Sequence, residues 1–169
     1  GLAITLNNIA SCYQNLGDRA KALDYYFQAL DLVPRLRNPF YTATTLNNIG
    51  VNYRELGQYE KAADYFRQAL AIRQTIGDLN GESVTQSDLA RLERIGGNFV
   101  EARKRIEAAL AAIESLRPNV VSQHLRASLF ASAQRYREFY VDLLMRMHKQ
   151  NPAEHFDVVA FQASETGRA

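Results

Sequence analysis

Four side chains in this sequence are of the types from which a thiol–imidazole pair or a metal site is built: Cys12, His124, His148 and His155. A reactive thiol needs a base within hydrogen-bond reach, yet all three histidines lie more than a hundred residues from Cys12. Cys12 also falls at a position that reads Asn52 and Leu92 at intervals of forty residues. So variable a position suits a packed or half-buried structural thiol, not a nucleophile. His148 and His155 straddle Pro152 without carboxylates at ligand spacing, which describes surface histidines better than a metal site. Glycines occur singly or as Gly96-Gly97, outside any phosphate-cradling pattern. The expectation is a chain that is not an enzyme and needs no cofactor.

Charge narrows the remaining possibilities. Twenty Lys and Arg stand against eighteen Asp and Glu, a net +2, too balanced to point to nucleic acid or an anionic membrane. No apolar run approaches the ~18–20 residues that cross a bilayer. A single cysteine fits a reducing, cytoplasmic setting, and a start at Gly1 reads as a fragment of a longer protein. Binding is the function left. Its most conspicuous candidates are two adjacent amide pairs, Asn7-Asn8 in "TLNNIA" and Asn47-Asn48 in "TLNNIG". Asparagine competes with the helical backbone for hydrogen bonds, so its repetition inside apolar helix needs a reason.

The elements that carry these amides form a repeat. Segment 3–32 matches 43–72 at 16 of 30 positions, and 43–72 matches 83–112 at 7. Each unit divides into two helical stripes. In the second, Leu46, Ile49, Gly50 and Tyr53 recur at helical spacing, Gly57 interrupts, and Ala62, Phe66, Ala69 and Leu70 follow. Small residues at Gly50, Ala62 and Ala69 let paired helices approach, Leu56-Gly57 is a helix stop, and Asn38-Pro39 is a cap with a first-turn proline. Gly77-Asp78 repeats the stop and start. Beyond residue 116 the pattern ends. A run of about thirty residues without Gly or Pro predicts one long amphipathic helix. Asn151-Pro152 then breaks the chain before a last helix whose apolar face, Phe156, Val159, Ala160 and Ala163, returns along the long one.

Leu46-x-x-Ile49-Gly50-x-x-Tyr53 followed by Ala62-x-x-x-Phe66, with Pro34 closing the first unit, resembles the tetratricopeptide repeat. The usual unit is about 34 residues, and long units opening on "TLNNI" look like those of kinesin light chain and of bacterial arrays. The resemblance implies an all-α superhelix, a right-handed solenoid of about eight helices. Its domains would be three repeats over 1–116 (about 3–34, 43–76 and 83–116) and a C-terminal long helix plus capping helix over 117–169.

A second resemblance covers the C-terminal third. Ser122-Gln123-x-Leu125-Arg126-Ala127-Ser128, Tyr136-x-x-Phe139-Tyr140-x-Asp142-Leu143-Leu144-Met145 and Gln162-Ala163-Ser164-Glu165 are similar to the segment joining such repeats to the CHAT domain of bacterial, especially cyanobacterial, proteins. It implies that a caspase/separase-like CHAT domain follows in the parent protein. Where that segment reads Glu-Arg-Ala-Arg, this chain reads Glu165-Thr166-Gly167-Arg168.

In such an array the first helix of each unit lines the inner wall. Leu6/Leu46, Ile9/Ile49 and Tyr13/Tyr53 face partner helices. A groove stripe is left: Asn7, Asn8, Ser11 and Gln14, then Asn47, Asn48, Val51 and Arg54, then Ser87, Asp88, Arg91 and Arg94. An amide both donates and accepts, so this stripe suits the main chain of an extended protein or peptide partner, and its arginines suit an acidic one. Two other readings stay open for the asparagines: they bridge neighbouring repeats, or they persist from recent duplication. A self-associating scaffold without a peptide ligand is the alternative function. The sequence leaves the oligomeric state undetermined.

Overall fold

The computed structural model describes residues 1–32 and 38–166. Pro34, Gly167 and Arg168 lie outside the described residues. Among those described there are eight α-helices and no strand. The chain divides into two compact units, Gly1–Gly81 and Glu82–Ala169.

The first unit holds α1 (Leu2–Asn15), α2 (Arg19–Leu32), α3 (Pro39–Glu55) and α4 (Tyr59–Ile76). Its helix ends follow from the sequence. Asn38 accepts a hydrogen bond from Phe40 N at 3.1 Å, with Pro39 in the first turn of α3. At the other end Gly57 takes φ +73°. That lets Gly57 N reach Arg54 O at 3.0 Å and Gln58 N reach Tyr53 O at 2.9 Å, the two bonds of a Schellman closure. Gly17, Gly77 and Gly97 close their helices the same way.

Close helix pairing within each hairpin rests on small residues. Ala10 and Ala22 around Tyr26, and Ala62 against Phe66, are fully buried. A Cβ on Gly50 would lie 2.7 Å from the Phe66 ring and 3.2 Å from the Ala62 carbonyl, so only glycine lets α3 come this near α4. Toward the turn end each hairpin is finished by stacked rings. Tyr13 and Tyr25 lie 5.5 Å apart at 5°, Tyr53 and Tyr65 5.5 Å apart at 11°. Lys21 and Lys61 each stand 5.2 Å over the first ring of their pair.

The second unit takes α5 (Leu79–Ile95, whose first turn begins in the first unit), α6 (Phe99–Leu116), α7 (Gln123–Gln150) and α8 (Phe156–Thr166). The long helix expected from the Gly- and Pro-free run is α7, 28 residues capped by Ser122, whose hydroxyl accepts from Leu125 N at 3.4 Å. One core joins Ala90 of α5, Ala102, Ile106 and Ile113 of α6, and Leu129, Leu143 and Leu144 of α7. Helix α8 lays Ala160 into it, with Phe156, Val159 and Ala163 alongside. Polar ties reinforce this assembly. Tyr140 donates to Glu107 at 2.5 Å, Arg103 meets the same carboxylate oxygen at 2.8 Å, and Arg137 reaches Glu114 at 3.0 Å. No helix is long and apolar enough to cross a membrane, among the described residues.

Candidate functional site

In the first unit the predicted stripe separates into two functions. The first asparagine of each pair is turned to structure. Asn7 Oδ1 accepts from the Thr45 hydroxyl at 3.1 Å, linking α1 to α3. Asn47 is only 4% exposed, and its Oδ1 lies 3.5 Å from Arg73 Nη1. The same guanidinium donates to the Gly81 carbonyl and stands 3.8 Å from the Asp78 carboxylate. Arg73 is itself buried. Its burial depends on a glycine, because a Cβ at Gly81 would fall 2.1 Å from Asp78 Oδ2.

The second asparagines face differently. Asn8 is exposed and Asn48 half-buried. Around them sits a hub that the sequence reading missed, the Tyr26 hydroxyl. It lies 2.9 Å from Ser11 Oγ and donates to Gln14 Oε1 at 3.0 Å, and Asn48 bonds it as well. Gln14 Oε1 also accepts from Asn52 Nδ2 at 2.7 Å. Burial pushes the Tyr26 phenol above its ordinary pKa, partly offset by the Ser11 hydrogen bond. Three predicted groove residues, Ser11, Gln14 and Asn48, thus converge on one proton donor. The available signal was the tyrosine at 26 where the next unit has Phe66. Val51 and Arg54 are half-buried one turn further on, with Arg54 bonded to Glu55 at 3.0 and 3.2 Å.

In the second unit the stripe is engaged by α7. Ser87 is buried and Asp88 half-buried. Arg91 and Arg94 hold their guanidinium carbons 5.3 and 4.7 Å from the Phe139 ring centre. Arg94 Nη1 meets Asp142 at 2.7 Å, and Arg146 shares that carboxylate at 3.0 Å. Cys12 corrects an expectation. It is exposed, neither packed nor half-buried. Its counterpart Asn52 is buried and donates to Gln14 Oε1 at 2.7 Å. Among the described residues, no three His, Cys, Asp or Glu side chains group closely enough to hold a metal ion.

These features define a class: a helical-repeat protein of antiparallel hairpins with polar residues gathered between α1, α2 and α3. The tetratricopeptide repeat family model matches residues 1–75 of the chain. Comparison with curated protein sequences gives no match. Among solved structures, BtubC (BKLC) from P. vanneervenii is similar at TM-score 0.71 and 19% identity, over 99% of this chain and 65% of that one. Aspartyl phosphate phosphatase F from Bacillus subtilis is similar at 0.76 and 14%, over 97% of this chain and 40% of that one. A kinesin light chain from Podosopora anserina with nearly identical TPR-like repeats gives 0.59 and 18%, over 96% and 86%. At these identities the likeness is one of fold. The chain spans under two thirds of the length of the first two proteins.

Proposed function

We propose that the inner face of the first unit binds an extended peptide by its main chain, and that the module thereby positions or regulates an adjacent CHAT caspase/separase-like domain. Tetratricopeptide scaffolds are typically protein-interaction modules, and the peptide reading refines that. The observation carrying it is the division of labour within the asparagine pairs. Asn7 and Asn47 are spent on internal hydrogen bonds, whereas Asn8 is exposed beside Ser11, one turn along α1. Ser11 shares the Tyr26 hydroxyl with Asn48 of α3, so amides from two helices border one polar face. Amide pairs suit main-chain groups, which are the same in every peptide. Arg54, paired with the exposed Glu55, would favour an acidic residue by exchanging that surface contact for one with the peptide. The CHAT assignment rests on the resemblance of residues 122–165 alone.

The test begins with peptides selected by display against the whole chain. Binding should survive alanine substitution at most peptide positions but weaken about tenfold or more when successive backbone N–H groups are methylated. Asn8→Ala should weaken it while leaving the melting temperature nearly unchanged, and adding Asn48→Ala should weaken it further at about 1 kcal/mol of stability for the lost bond to Tyr26. Selected peptides that ignore both changes would refute main-chain recognition. Concentration-dependent self-association in light scattering without any peptide would favour the architectural alternative.

A further inference from the structure

We infer that the turn end of the α5/α6 hairpin, together with the last two turns of α7, forms a second docking surface, shaped for an acidic amphipathic helix of a partner protein. Comparison of the three hairpin turns at forty-residue spacing shows why this end is unusual. The first carries Asn15, Leu16, Arg19 and Ala20, and the second Glu55, Leu56, Tyr59 and Glu60, so each has a single exposed large aliphatic side chain, Leu16 or Leu56. The third carries Ile95, Phe99 and Val100. Phe99 packs against the core, but packing does not account for the other two, because Ile95 remains 51% and Val100 63% exposed. Exposed apolar residues gathered in one place are a mark of interaction surfaces.

Beside this turn runs an open groove of about 930 Å³, with Phe99 on one wall and Met145 and Gln150 on the other. A smaller cleft of about 440 Å³ continues from it, sharing Phe99 and Gln150 and reaching Val100 and Met147. From Asp142 to Gln150 the α7 wall runs ~12 Å, two helical turns. That length suits two or three anchoring side chains at i, i+3 or i+4, and i+7 of a bound helix. Met145, 46% exposed and unbranched, adapts to varied apolar shapes.

The charge of the rim selects the partner. Arg146 and Lys149 line the groove, and its acidic member, Asp142, is already neutralised by Arg94 and Arg146. His148 is directed to Asp157 at 3.4 Å. Glu154 borders only the smaller cleft. An apolar floor with a cationic rim favours Leu or Phe anchors flanked by Asp or Glu. The surface uses none of the residues assigned to peptide binding in the first unit, so the two can be tested apart.

The chain's methionines make the test direct, since Met145 and Met147 are its only two. With both ε-methyl groups ¹³C-labelled in the whole chain, Met145 reports the groove and the 7%-exposed Met147 provides an internal comparison. The probe is a synthetic 18-residue amphipathic helix with Leu and Phe on one face and Glu on the other. Its titration should move the Met145 resonance saturably and more than that of Met147. The same peptide with Lys for Glu should bind about tenfold more weakly, and a version with Ser for Leu and Phe should not bind. Arg146→Glu with Lys149→Glu, or Val100→Asp, should abolish the shift, whereas Asn8→Ala with Asn48→Ala should not alter it. Equal response to the Glu and Lys peptides, or none, overturns the inference. So does a Met145 shift on raising protein concentration alone, which would mean a second copy is the occupant. A shift with phosphatidylserine vesicles but not with the peptide would overturn it in favour of a membrane surface.

Discussion

The two units start from one template and use it differently. In the first, Tyr53 stacks on Tyr65 under Lys61; at the matching positions the second has Glu93, Arg105 and Glu101, with Arg105 Nε 3.2 Å from Glu101. Gln14 in the first unit accepts from Tyr26 and Asn52. Its counterpart Arg94 lies over Phe139 and pairs with Asp142. What persists is the small-residue seam: Ala10, Ala22 and Ala29 in one, Ala90, Ala102 and Ala109 in the other, all fully buried. The helix-to-helix approach is thus fixed by the repeat, while the chemistry of each outward position is set by what packs next to it.

The most forceful way to break this comparison is to strike the seam in one unit. Phe66 is fully buried against Gly50, so Phe66→Ala should cost about 3–5 kcal/mol. Hydrogen exchange followed by mass spectrometry should then accelerate across residues 1–81 while the α6–α8 amides keep their protection. Uniform acceleration over the whole chain would show that the two units unfold as one. A smaller effect separates the asparagines. Asn47→Ala removes an acceptor from buried Arg73 and should cost about 1–3 kcal/mol, whereas Asn8→Ala on an exposed site should stay within about 0.5 kcal/mol. Equal costs in denaturant titrations would erase the distinction.

These asparagines also mark how far the sequence can be read. Helix ends were legible because they depend on local chemistry: Asn38-Pro39 caps, and Leu56-Gly57 closes, wherever the helix then packs. The seam was legible because small residues recur at helical spacing. The return of α8 by Phe156, Val159, Ala160 and Ala163 was legible for the same reason. By contrast, the role of a polar residue on a seam edge depends on a partner far along the chain. Arg94 meets a carboxylate 48 positions later, and Asn47 a guanidinium 26 positions later. Periodicity identifies the face such a residue occupies but not the group opposite it.

The tie between α6 and α7 offers a test by pH. Burial, then the hydrogen bond and the negative charge of Glu107, push the Tyr140 phenol from 10.0 up to about 12. A raised folded-state pKa means the neutral phenol is favoured in the folded form. Its contribution is fully present below the unfolded value near pH 10 and is lost as pH rises toward 12. Thermal melts of the wild type should therefore fall more steeply between pH 10 and 12 than those of Tyr140→Phe. No matching difference should appear between pH 6 and 8.

The smallest effect addresses the turn ends, where the two units differ most. Lys61 sits over Tyr53 at 5.2 Å, at an exposed position where a cation–π contact is worth about 0.5–1 kcal/mol. Lys61→Ala should cost about that much, and Lys61→Glu should cost slightly more, because the anion meets the negative face of the ring. In the second unit the same position holds Glu101, stabilised by Arg105, so Glu101→Lys should be the unfavourable change there, setting like charges together. Opposite responses to the same charge at one repeat position would show that residue preference follows the neighbouring side chain instead of the place in the repeat. Pairing Lys61→Glu with Tyr65→Arg should then recover part of the loss, since it transplants the second unit's ion pair into the first. Absence of recovery in that double-mutant cycle would mean that the stacked rings, not the lysine, hold the turn.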